Sequence, residues 1–506
     1  MSGGGERTRT SVDVLVVGGG PVGLMLAAEL RLCGVEVTVL EKEPTPNPHS
    51  RAFRLQPRTL ELLDARGLLE RFREGHKEWP YTHFAGISPL LDLRRTGGAH
   101  PYSLMIPQTH TEALLAEHAL ELGADLRRGH VLVALDQGGE RVTAEVEGPR
   151  GRYSIEASFL VGCDGGRSTT RELAGIAFPG TAPRVSAMLA DAVVEDPGQL
   201  PMGVPGTLRG AAGLLMAVTL EEPYTRVLTT EFTAPGEEER DGPPTLEEFT
   251  AGVRRVSGHD VGLRDARWLS RFTDSTRLAE VYRRGRVLLA GDAAHIHFPI
   301  GAQGLNLGLQ DAANLGWKLA AHLRGRSPED LLDTYGTERR AVAERVLRET
   351  RAQLALMDTG ASVDPLRELF GEMLEVEETN RFLASLVAGT DVRYDFGRAD
   401  TRFEGAFAPP IRVKAEDGEH DLLGLLRTGR GVLAASGAAA ARLRATVRAW
   451  EETVDTVEVQ GLEEHGLSAL LLRPDGHVAW ECGPGDGTGD ASPEAALGRW
   501  FRPRSG

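Results

Sequence analysis

The stretch that decides the fold is Ser11–Glu41, which reads SVDVLVVGGGPVGLMLAAELRLCGVEVTVLE. Residues 12–17 are mostly valine and leucine, a composition that predicts a strand buried on both faces. A glycine-rich turn follows, then apolar residues at helical spacing, and then a second apolar run that ends at Glu41. The order strand, turn, helix and strand is that of a βαβ unit.

The turn at residues 18–23, GGGPVG, matches the pattern G-x-G-x-x-G. In such a turn Gly18 makes the tight bend, Gly20 lets the backbone approach a pyrophosphate, and Gly23 lets the helix pack on the strand. The helix N-terminus supplies free N–H groups and a positive dipole end. Glu41 comes 18 residues after Gly23, where an acid would accept hydrogen bonds from ribose hydroxyls. The unit predicts a dinucleotide site without deciding which dinucleotide.

Composition excludes several classes of function. The chain has 506 residues, which predicts two to four domains, and its net charge of −16 argues against a binder of nucleic acid or of anionic membranes. Cys33, Cys163 and Cys482 are too scattered for a disulfide framework or a zinc site, as expected in a reducing cytoplasm. The N-terminus is polar, so a signal peptide is not expected, and no apolar run is long enough to predict a membrane span.

The rest of the chain divides into regions that differ in sequence pattern. Three alternating runs within residues 131–157 predict a β-meander. Residues 178–273 carry longer strand-like runs joined by Gly/Pro-rich connections, which predicts a mostly antiparallel module inserted into the dinucleotide domain. A buried strand and long helices return from residue 274, a linker is expected near 395–420, and the remainder predicts a small α/β domain.

Two later motifs carry further chemistry. Asp292 follows the buried strand at residues 286–290 in a glycine-flanked turn, where its carboxylate is placed to accept hydrogen bonds from a sugar or ribitol hydroxyl. A turn or N-cap aspartate is the alternative. The turn Gly301–Asn306 opens the next helix, and its backbone N–H groups favour negative charge such as that of a reduced flavin ring.

The glycine turn with Glu41, the segment Cys163-Asp164-Gly165 and the Gly291–Asn306 motif together resemble the class A flavoprotein monooxygenases. The resemblance covers roughly residues 10–390 and is closest to aromatic polyketide hydroxylases of antibiotic pathways. It implies the para-hydroxybenzoate hydroxylase fold, an α/β fold in which a Rossmann-like FAD-binding domain (10–177 and 274–395) holds an inserted, mostly antiparallel substrate-binding domain (178–273). The tail, residues 396–506, resembles the thioredoxin-like C-terminal domain of longer members, but it lacks a C-x-x-C pair.

The resemblance also implies cofactor-binding roles for individual residues. Glu41 would hold the adenosine ribose with Lys42 beside it, and Leu132 would offer its backbone to the adenine. The residues expected to bind FAD are Gly18, Gly20, Val22, Gly23, Glu41, Lys42, Arg51, Gln108, Leu132, Asp164, Asp292, Pro299, Gly301, Gly304, Leu305 and Asn306.

On the flavin side, Arg51 would reach the ring system and Gln108 the ribitol-phosphate region. Asp292 would bind the ribityl chain or the pyrophosphate. Backbone N–H groups of Leu305 and Asn306 would face the pyrimidine edge of the flavin.

Other polar residues have less specific expectations. Asp164 resembles a motif assigned to flavin and nicotinamide binding, with a purely structural turn as the alternative. Arg58 and Arg171 are expected to be solvated surface charges. His295 and His297 are two residues apart, but no further His or Cys cluster supports a metal site, so none is expected.

The implied reaction has two halves. NADPH or NADH reduces the flavin, and a flavin C4a-hydroperoxide, formed with O2, then hydroxylates an electron-rich polycyclic phenol lying between the inserted module and the flavin. No second G-x-G-x-x-G turn follows a predicted strand, so no dedicated NAD(P)H-binding domain is expected and NAD(P)H is expected to dock only transiently. No catalytic side chain is nominated, and the oligomeric state, monomer or homodimer, stays open. The alternatives are Baeyer–Villiger or antibiotic-inactivating oxygenation on the same fold, and a flavin-binding scaffold without turnover.

Overall fold

The computed structural model describes residues 10–201, 207–210, 212–232, 242–398, 401–483 and 493–504. Strands dominate its first part, and they are β1 (Thr10–Val17), β2 (Val37–Glu41), β3 (Lys77–Trp79), β4 (Tyr81–Phe84), β5 (Ile87–Asp92), β6 (Ser103–Met105), β7 (Asp125–Arg128), β8 (Val131–Asp136), β9 (Val142–Gly148) and β10 (Gly151–Gly162). The helices among them are α1 (Pro21–Leu32), α2 (Pro57–Asp64), α3 (Leu69–Arg73), α4 (Gln108–Glu121) and α5 (Thr169–Leu173).

The middle of the chain begins with strands and ends with helices. Its strands are β11 (Gly180–Thr181), β12 (Ser186–Val194), β13 (Thr207–Gly210), β14 (Gly213–Glu221), β15 (Tyr224–Glu231), β16 (Leu263–Thr273), β17 (Thr276–Leu278), β18 (Arg283–Arg284), β19 (Val287–Leu289) and β20 (His295–Ile296). Its helices are α6 (Leu246–Ser257), α7 (Gln303–Leu323), α8 (Thr334–Met357), α9 (Asp364–Leu374) and α10 (Glu377–Ala388).

The C-terminal part mixes both kinds of element. Its strands are β21 (Arg412–Ala415), β22 (Gly418–Asp421), β23 (Gly431–Ala435), β24 (Val454–Glu458), β25 (Ala469–Leu472) and β26 (Val478–Cys482), and its helices are α11 (Gly437–Val447) and α12 (Pro493–Trp500). In the described ranges, no helix has the length and apolar character that a membrane crossing requires.

The sheet that positions the site has the strand order β18-β19-β10-β1-β2-β7. Strand β1 is parallel to both β2 and β10, and β10 is parallel to β19. Val17 pairs with Gly162, and Gly162 pairs with Leu289, so the three strands end together at one edge. Val14, Leu15 and Val16 are all fully buried, and because neighbouring strand residues face opposite sides of the sheet, this confirms the predicted strand buried on both faces.

Strand β10 is longer than predicted. The last run of the predicted meander, expected to end by residue 157, continues to Gly162 and forms one strand of 12 residues. Its first half pairs antiparallel with β9 and its second half pairs parallel with β1. Ile155, Ala157 and Phe159 are buried at alternate positions, and Leu160 and Val161 are buried after them, so the apolar pattern runs from the first half of the strand into the second. The β-meander therefore continues directly into the central sheet.

The inserted part is an antiparallel sheet with the order β13-β14-β15-β12-β16. Helix α6 covers one face, where Phe249 and Val253 pack in a cluster with Met188. The other face packs through Ala187 and Leu214 in a cluster that includes Phe84 and Phe298. Together with the C-terminal sheet β24-β23-β25-β26, this architecture is the predicted α/β fold class.

The predicted linker near 395–420 is not an exposed tether where the structure describes it. Phe407 is 5% exposed and Glu404 is 6% exposed. The carbonyl oxygen of Gly405 accepts a hydrogen bond from the Tyr394 N–H, and the N–H of Gly405 donates one to the Val478 carbonyl oxygen. The segment from residue 401 therefore packs between the helical region and the C-terminal sheet. Its Gly, Pro and charged residues suggested a linker because burial by distant elements leaves no local sequence pattern.

Candidate cofactor site

Three turns that lie far apart in sequence meet at the edge where β1, β10 and β19 end. The backbone N–H of Cys163 donates to the carbonyl oxygen of Val17 at 2.7 Å. A methyl group on Gly18 would lie 2.3 Å from the carbonyl oxygen of Cys163, and one on Gly291 would lie 2.9 Å from Val22 Cγ2. The structure thus brings all three sequence motifs together.

Glycine is needed at Gly23 and at Gly20 for different physical reasons. A methyl group on Gly23 would lie 2.0 Å from the carbonyl oxygen of Gly18, so helix packing requires glycine there. A methyl group on Gly20 would meet no atom of the described residues within 4 Å. Gly20 is the N-cap of α1, and it has no side chain that could accept hydrogen bonds from the first N–H groups of the helix. Those N–H groups are therefore left for a ligand.

Glu41 lies directly beside this turn. Its Oε2 accepts a hydrogen bond from the Gly19 N–H at 2.7 Å, and its Oε1 accepts one from the Glu43 N–H at 2.9 Å. Each carboxylate oxygen has two lone pairs, so both retain capacity for a ribose hydroxyl. Lys42 is exposed. Leu132 is buried at the start of β8. The His130 N–H donates to the Glu41 carbonyl oxygen at 2.9 Å, which places the start of β8 close to the end of β2.

The turn that carries Asp292 is held by buried side chains through its backbone, while the Asp292 side chain is exposed. The N–H of Gly291 donates to Asp311 Oδ2 at 3.1 Å, and Arg171 Nη1 donates to the carbonyl oxygen of Ala293 at 3.0 Å. Asp292 itself is exposed, and its carboxylate has no hydrogen-bond or ion-pair partner within the described ranges. The turn therefore presents a free carboxylate at the sheet edge.

Asp311, in the middle of α7, anchors this turn. It is fully buried and also receives hydrogen bonds from His295 Nε2 at 2.7 Å and Arg339 Nε at 2.8 Å. Burial alone would raise the pKa of Asp311, but the positive charge of Arg339 and the contact with His295 hold it below its usual value. No three His, Cys, Asp or Glu side chains are grouped as metal ligands in the part of the chain that the structure describes.

Sequence reasoning missed Asp311 and Arg339. A signal was present, because Asp311 and Lys318 are the charged residues of an otherwise uncharged helix, and charged residues at buried positions are nearly always paired. The sequence does not show which residue pairs with which, since Arg339 comes from the next long helix.

The turn before α7 is locked in place. Gly301 and Ala302 have left-handed backbone, with φ of 71° and 54°. Asn306 Oδ1 accepts from the Gln56 N–H at 2.8 Å while its Nδ2 donates to the Ala302 carbonyl oxygen at 2.7 Å. Gln56 Nε2 in turn donates to the Gly301 carbonyl oxygen at 2.8 Å. The side chain of Asn306 thus holds the loop and leaves its backbone N–H in the first turn of α7.

The remaining predicted residues of this turn line its accessible side. Pro299 is exposed, while Gly304 and Leu305 are half-buried. This is the arrangement expected if a flat ring lies against the helix start.

Gln108 and Arg51 lie on neighbouring segments, which we call the rim, since Gln108 is hydrogen-bonded to Ala52. The side-chain Oε1 of Gln108 accepts from the Ala52 N–H at 3.0 Å, and its backbone N–H donates to the Ala52 carbonyl oxygen at 2.9 Å. Arg51 is exposed, and its carbonyl oxygen accepts from Arg226 Nη1 at 3.2 Å. Arg226 is itself ion-paired with Asp191 at 2.8 Å, so the inserted sheet holds this rim.

Asp164 is engaged within its own turn. Ser168 Oγ donates to its Oδ1, and the N–H and Oγ1 of Thr170 both donate to its Oδ2, at 2.9 and 3.0 Å. These contacts organise the start of α5, as in the structural alternative. A cofactor-binding role for Asp164 stays a prediction.

Two arginines expected on the surface are buried, so that expectation is wrong. Arg58 is 5% exposed, is ion-paired with Glu61, and donates to the carbonyl oxygens of Gly389 and Thr390. Arg171 is 6% exposed and holds the Ala293 carbonyl described above. Tertiary partners from distant segments offset the cost of burying both charges.

The chemistry of these groups fits FAD. Free N–H groups at the start of α1 suit a pyrophosphate, and Glu41 suits the adenosine ribose. The open space at Gly20 and the unpartnered carboxylate of Asp292 are features that packing of the protein alone leaves unexplained. The start of α7 suits a ring edge that becomes negative on reduction.

Known proteins resemble the chain over nearly its full length. Residues 11–350 match the FAD binding domain family, and residues 401–503 match the family described as aromatic-ring hydroxylase, C-terminal. The 12-dehydrotetracycline 5-monooxygenase/anhydrotetracycline 6-monooxygenase of Streptomyces rimosus is 45% identical over 501 residues, which cover 97% of this chain and 99% of that protein.

Two more relatives extend the comparison. The dialkyldecalin synthase of Streptomyces rugosporus is 39% identical over 97% of this chain and 99% of its own. The solved structure of OxyS anhydrotetracycline hydroxylase from Streptomyces rimosus superimposes with a TM-score of 0.91 at 44% identity, covering 98% of this chain and all of that one (100%). The chain therefore belongs to the class A flavoprotein monooxygenases, the FAD-dependent aromatic-ring hydroxylases with the para-hydroxybenzoate hydroxylase fold.

Proposed function

We propose that this protein uses FAD, O2 and NADPH or NADH to hydroxylate a polycyclic aromatic polyketide. The observation that carries the proposal is the unpartnered carboxylate of Asp292, on a turn packed against Val22 of the dinucleotide helix. The tetracycline monooxygenases that are similar over nearly the whole chain support the substrate class.

The residues of the site would hold FAD along the sheet edge. The start of α1 at Gly20 would bind the pyrophosphate and Glu41 the adenosine ribose, while Asp292 would accept hydrogen bonds from the ribityl chain. When bound, FAD supplies the activation of O2 that side chains cannot. The protein's part is to bind, orient and exclude water.

Backbone groups would tune the ring. Helix α7 begins at Gln303, so the N–H groups of Leu305 and Asn306 lie in its first turn, and the N–H of Leu305 has no carbonyl four residues back within the helix to accept it. Together with the positive end of the helix dipole they would favour negative charge on the pyrimidine edge of the flavin.

The register of the inserted sheet supports a place for the substrate. Residues paired across antiparallel strands project to the same face, and the face of Ala187 and Leu214 is the one that packs towards Phe298. At the other end of this face, Arg226 reaches the rim at Arg51. Between these two contacts lies a row with mostly apolar side chains, which we define as the floor: Leu189, Met216, Leu228 and Ser270.

The floor suits a flat, largely apolar guest. Met216, Leu228 and Ser270 are half-buried even though they face inward between two packed ends. A polycyclic aromatic lying on the floor would face the flavin side, with Met216 adapting to its shape. We propose residues 178–273 as the substrate-binding domain, 10–177 with 274–395 as the FAD-binding domain, and 396–506 as the C-terminal domain.

A second candidate function follows from one relative. The dialkyldecalin synthase is named for forming a ring system, although it is similar over the same length. A protein of this kind would bind FAD at the same residues without transferring oxygen. The two functions differ in one observable, because only a monooxygenase consumes NAD(P)H and O2 in proportion to product.

The first test is a spectrum of the purified protein. We expect a yellow protein that retains FAD and whose flavin absorbance is bleached by NADPH or NADH under anaerobic conditions when a polycyclic phenol is present. A protein that takes up no FAD would contradict the proposal. Retained flavin that neither nucleotide reduces, with or without the phenol, would favour the second candidate.

A further inference from the structure

Arg54 is a buried cation that lacks a carboxylate partner. It is 6% exposed, and among the residues that the structure describes no Asp or Glu forms an ion pair with it. Its Nη1 donates to Thr82 Oγ1 at 3.3 Å, and its Nε has no hydrogen-bond partner in the same set of residues. An isolated buried charge is costly, so a structural reason alone does not explain it.

Three other buried arginines of this chain are paired with a carboxylate, whereas Arg171, also 6% exposed, donates instead to the carbonyl oxygens of Ala293 and Gly166. Arg58 faces Glu61, Arg226 faces Asp191, and Arg339 faces Asp311. Burial alone lowers the pKa of Arg54 to about 10, with no carboxylate close enough to offset it. At neutral pH Arg54 therefore stays charged, with hydrogen-bonding capacity left over.

The group beside Arg54 is neutral. The Nδ1 of His83 accepts a hydrogen bond from the Gly86 N–H at 3.2 Å. Burial, and then the charge of Arg54, lowers the pKa of His83 to about 4. His83 therefore adds a polar ring but no charge, and the pair presents one net positive charge to whatever lies against it.

Arg54 also lies between the flavin turn and the inserted sheet. Its carbonyl oxygen accepts from Asn306 Nδ2 at 3.2 Å, at the start of α7. Strand β4, which holds Thr82 and His83, packs against the turn at 300–302. The same strand continues into Phe84, which belongs to the apolar cluster of the sheet face. This is the region that the proposed function assigns to the substrate.

We propose that Arg54 is a specificity-determining residue that binds an ionised oxygen of the aromatic substrate lying on the floor. The inference rests on the proposed function and names the chemical feature that the site selects: a phenol acidic enough to lose its proton to solvent on binding. A guanidinium donates charge-assisted hydrogen bonds to such an oxygen, which are stronger where water is excluded. The ionised ring is also the more electron-rich partner for oxygen transfer.

The test uses FAD-loaded enzyme and two probes without any nicotinamide. The first probe is alizarin, a hydroxyanthraquinone whose phenolate absorbs at longer wavelength than its phenol, and the second is unsubstituted anthraquinone. Each is titrated from pH 5 to 9 against the wild type, Arg54→Met, Arg54→Lys and the control Arg348→Met. Arg348 is exposed, so its loss removes the same charge from the surface.

We expect the wild type and Arg348→Met to lower the apparent pKa of bound alizarin by about one unit or more, as a charge-assisted contact implies. Arg54→Met should abolish that shift and weaken alizarin binding about tenfold at neutral pH, with anthraquinone binding unchanged. Arg54→Lys should keep part of the shift. Arg54→Met that binds alizarin with the same affinity and the same shift would overturn the proposal.

Two further readouts separate other roles of Arg54. Because its charge is buried and unpaired, Arg54→Met should leave the thermal midpoint of the enzyme unchanged or higher. A lower midpoint with normal alizarin binding would assign a structural role, and a changed flavin reduction potential with normal alizarin binding would assign the flavin as partner. Either would overturn the proposal. FAD-loaded wild type that binds neither probe would instead contradict the proposed function.

Discussion

Asp311 accepts a hydrogen bond from the backbone N–H of Gly291 at 3.1 Å, so a buried residue of α7 sets the position of the turn that carries Asp292. The same carboxylate holds Arg339 and His295. The position of the exposed Asp292 therefore depends on a fully buried charge. This relationship separates residues that would bind FAD from residues that position the binding turn.

We expect Asp311→Ala to damage both stability and FAD binding. Removing one member of a buried ion pair leaves Arg339 charged and unpaired, which costs about 3 to 5 kcal/mol of unfolding free energy. Chemical denaturation and the flavin-to-protein absorbance ratio measure the two effects. The exposed Glu329→Ala is the control. Wild-type stability of Asp311→Ala would contradict the anchoring role.

Asp292→Ala should separate binding from stability. Its carboxylate is exposed and unpartnered within the described residues, so the unfolding free energy of the apoprotein should change by less than about 0.5 kcal/mol. The loss of charged hydrogen bonds to the cofactor should weaken FAD binding about tenfold or more. Fluorescence titration of the apoprotein with FAD gives the affinity. Unchanged affinity would refute the role assigned to Asp292.

Gly20→Ala and Gly23→Ala form a matched pair. A methyl group on Gly20 meets open space, so we expect this variant to fold, at a cost of at most about 1 kcal/mol at the N-cap, and to lose FAD. A methyl group on Gly23 meets the Gly18 carbonyl at 2.0 Å, so that variant should lose stability first. Circular dichroism melting curves and flavin content distinguish them. Gly20→Ala with normal FAD content would contradict the open cradle.

The stability of the protein should depend on pH through Glu349. This side chain is 5% exposed, and Arg345 Nε lies 3.2 Å from its carboxylate. Burial raises the pKa of Glu349 from 4.5 to about 7 in the folded protein. Between these values the folded state holds a proton that the unfolded state has lost, so unfolding free energy falls as pH rises from about 4.5 to 7 and is then level.

The expected fall is about 3 to 4 kcal/mol, since the pKa of Glu349 is about 7 in the folded protein against 4.5 in the unfolded chain and each unit of difference is worth about 1.4 kcal/mol. Glu349→Gln should remove this fall between pH 5 and 8 and be more stable than the wild type at pH 8. Denaturant titrations at several pH values measure it, with the exposed Glu344→Gln as the control. A wild-type pH profile in Glu349→Gln would show that another group titrates.

The sequence predicts those parts of the site that local pattern determines. The turn at Gly18–Gly23 and its strand follow from residues close together in the chain, and the end of β19 places Asp292 at the same sheet edge. Burial of charge is different, because it depends on partners from elsewhere. Arg58 meets Gly389 and Thr390 more than 300 residues later, a contact that no local pattern encodes.

The inserted sheet shows the same limit. Its strands at 186–194 and 224–231 coincide largely with the strand-like runs of the sequence. The ion pair between Asp191 and Arg226, whose Nη1 also donates to the Arg51 carbonyl oxygen, does not follow from those runs. Arg54 is a sharper case, since an arginine in a polar segment predicts a surface charge. Only the structure shows that it is buried and unpaired among the described residues.

The most direct test of the whole account is the fate of isotopically labelled oxygen. FAD-loaded protein, NADPH or NADH and a panel of tetracyclic phenols would be incubated under ¹⁸O2, and the products read by mass spectrometry and NMR. We expect one ¹⁸O atom in a new hydroxyl group for each nicotinamide oxidised. A protein that retains FAD but yields no labelled product from any of these phenols would contradict it, and a labelled lactone would replace hydroxylation with Baeyer–Villiger oxygenation.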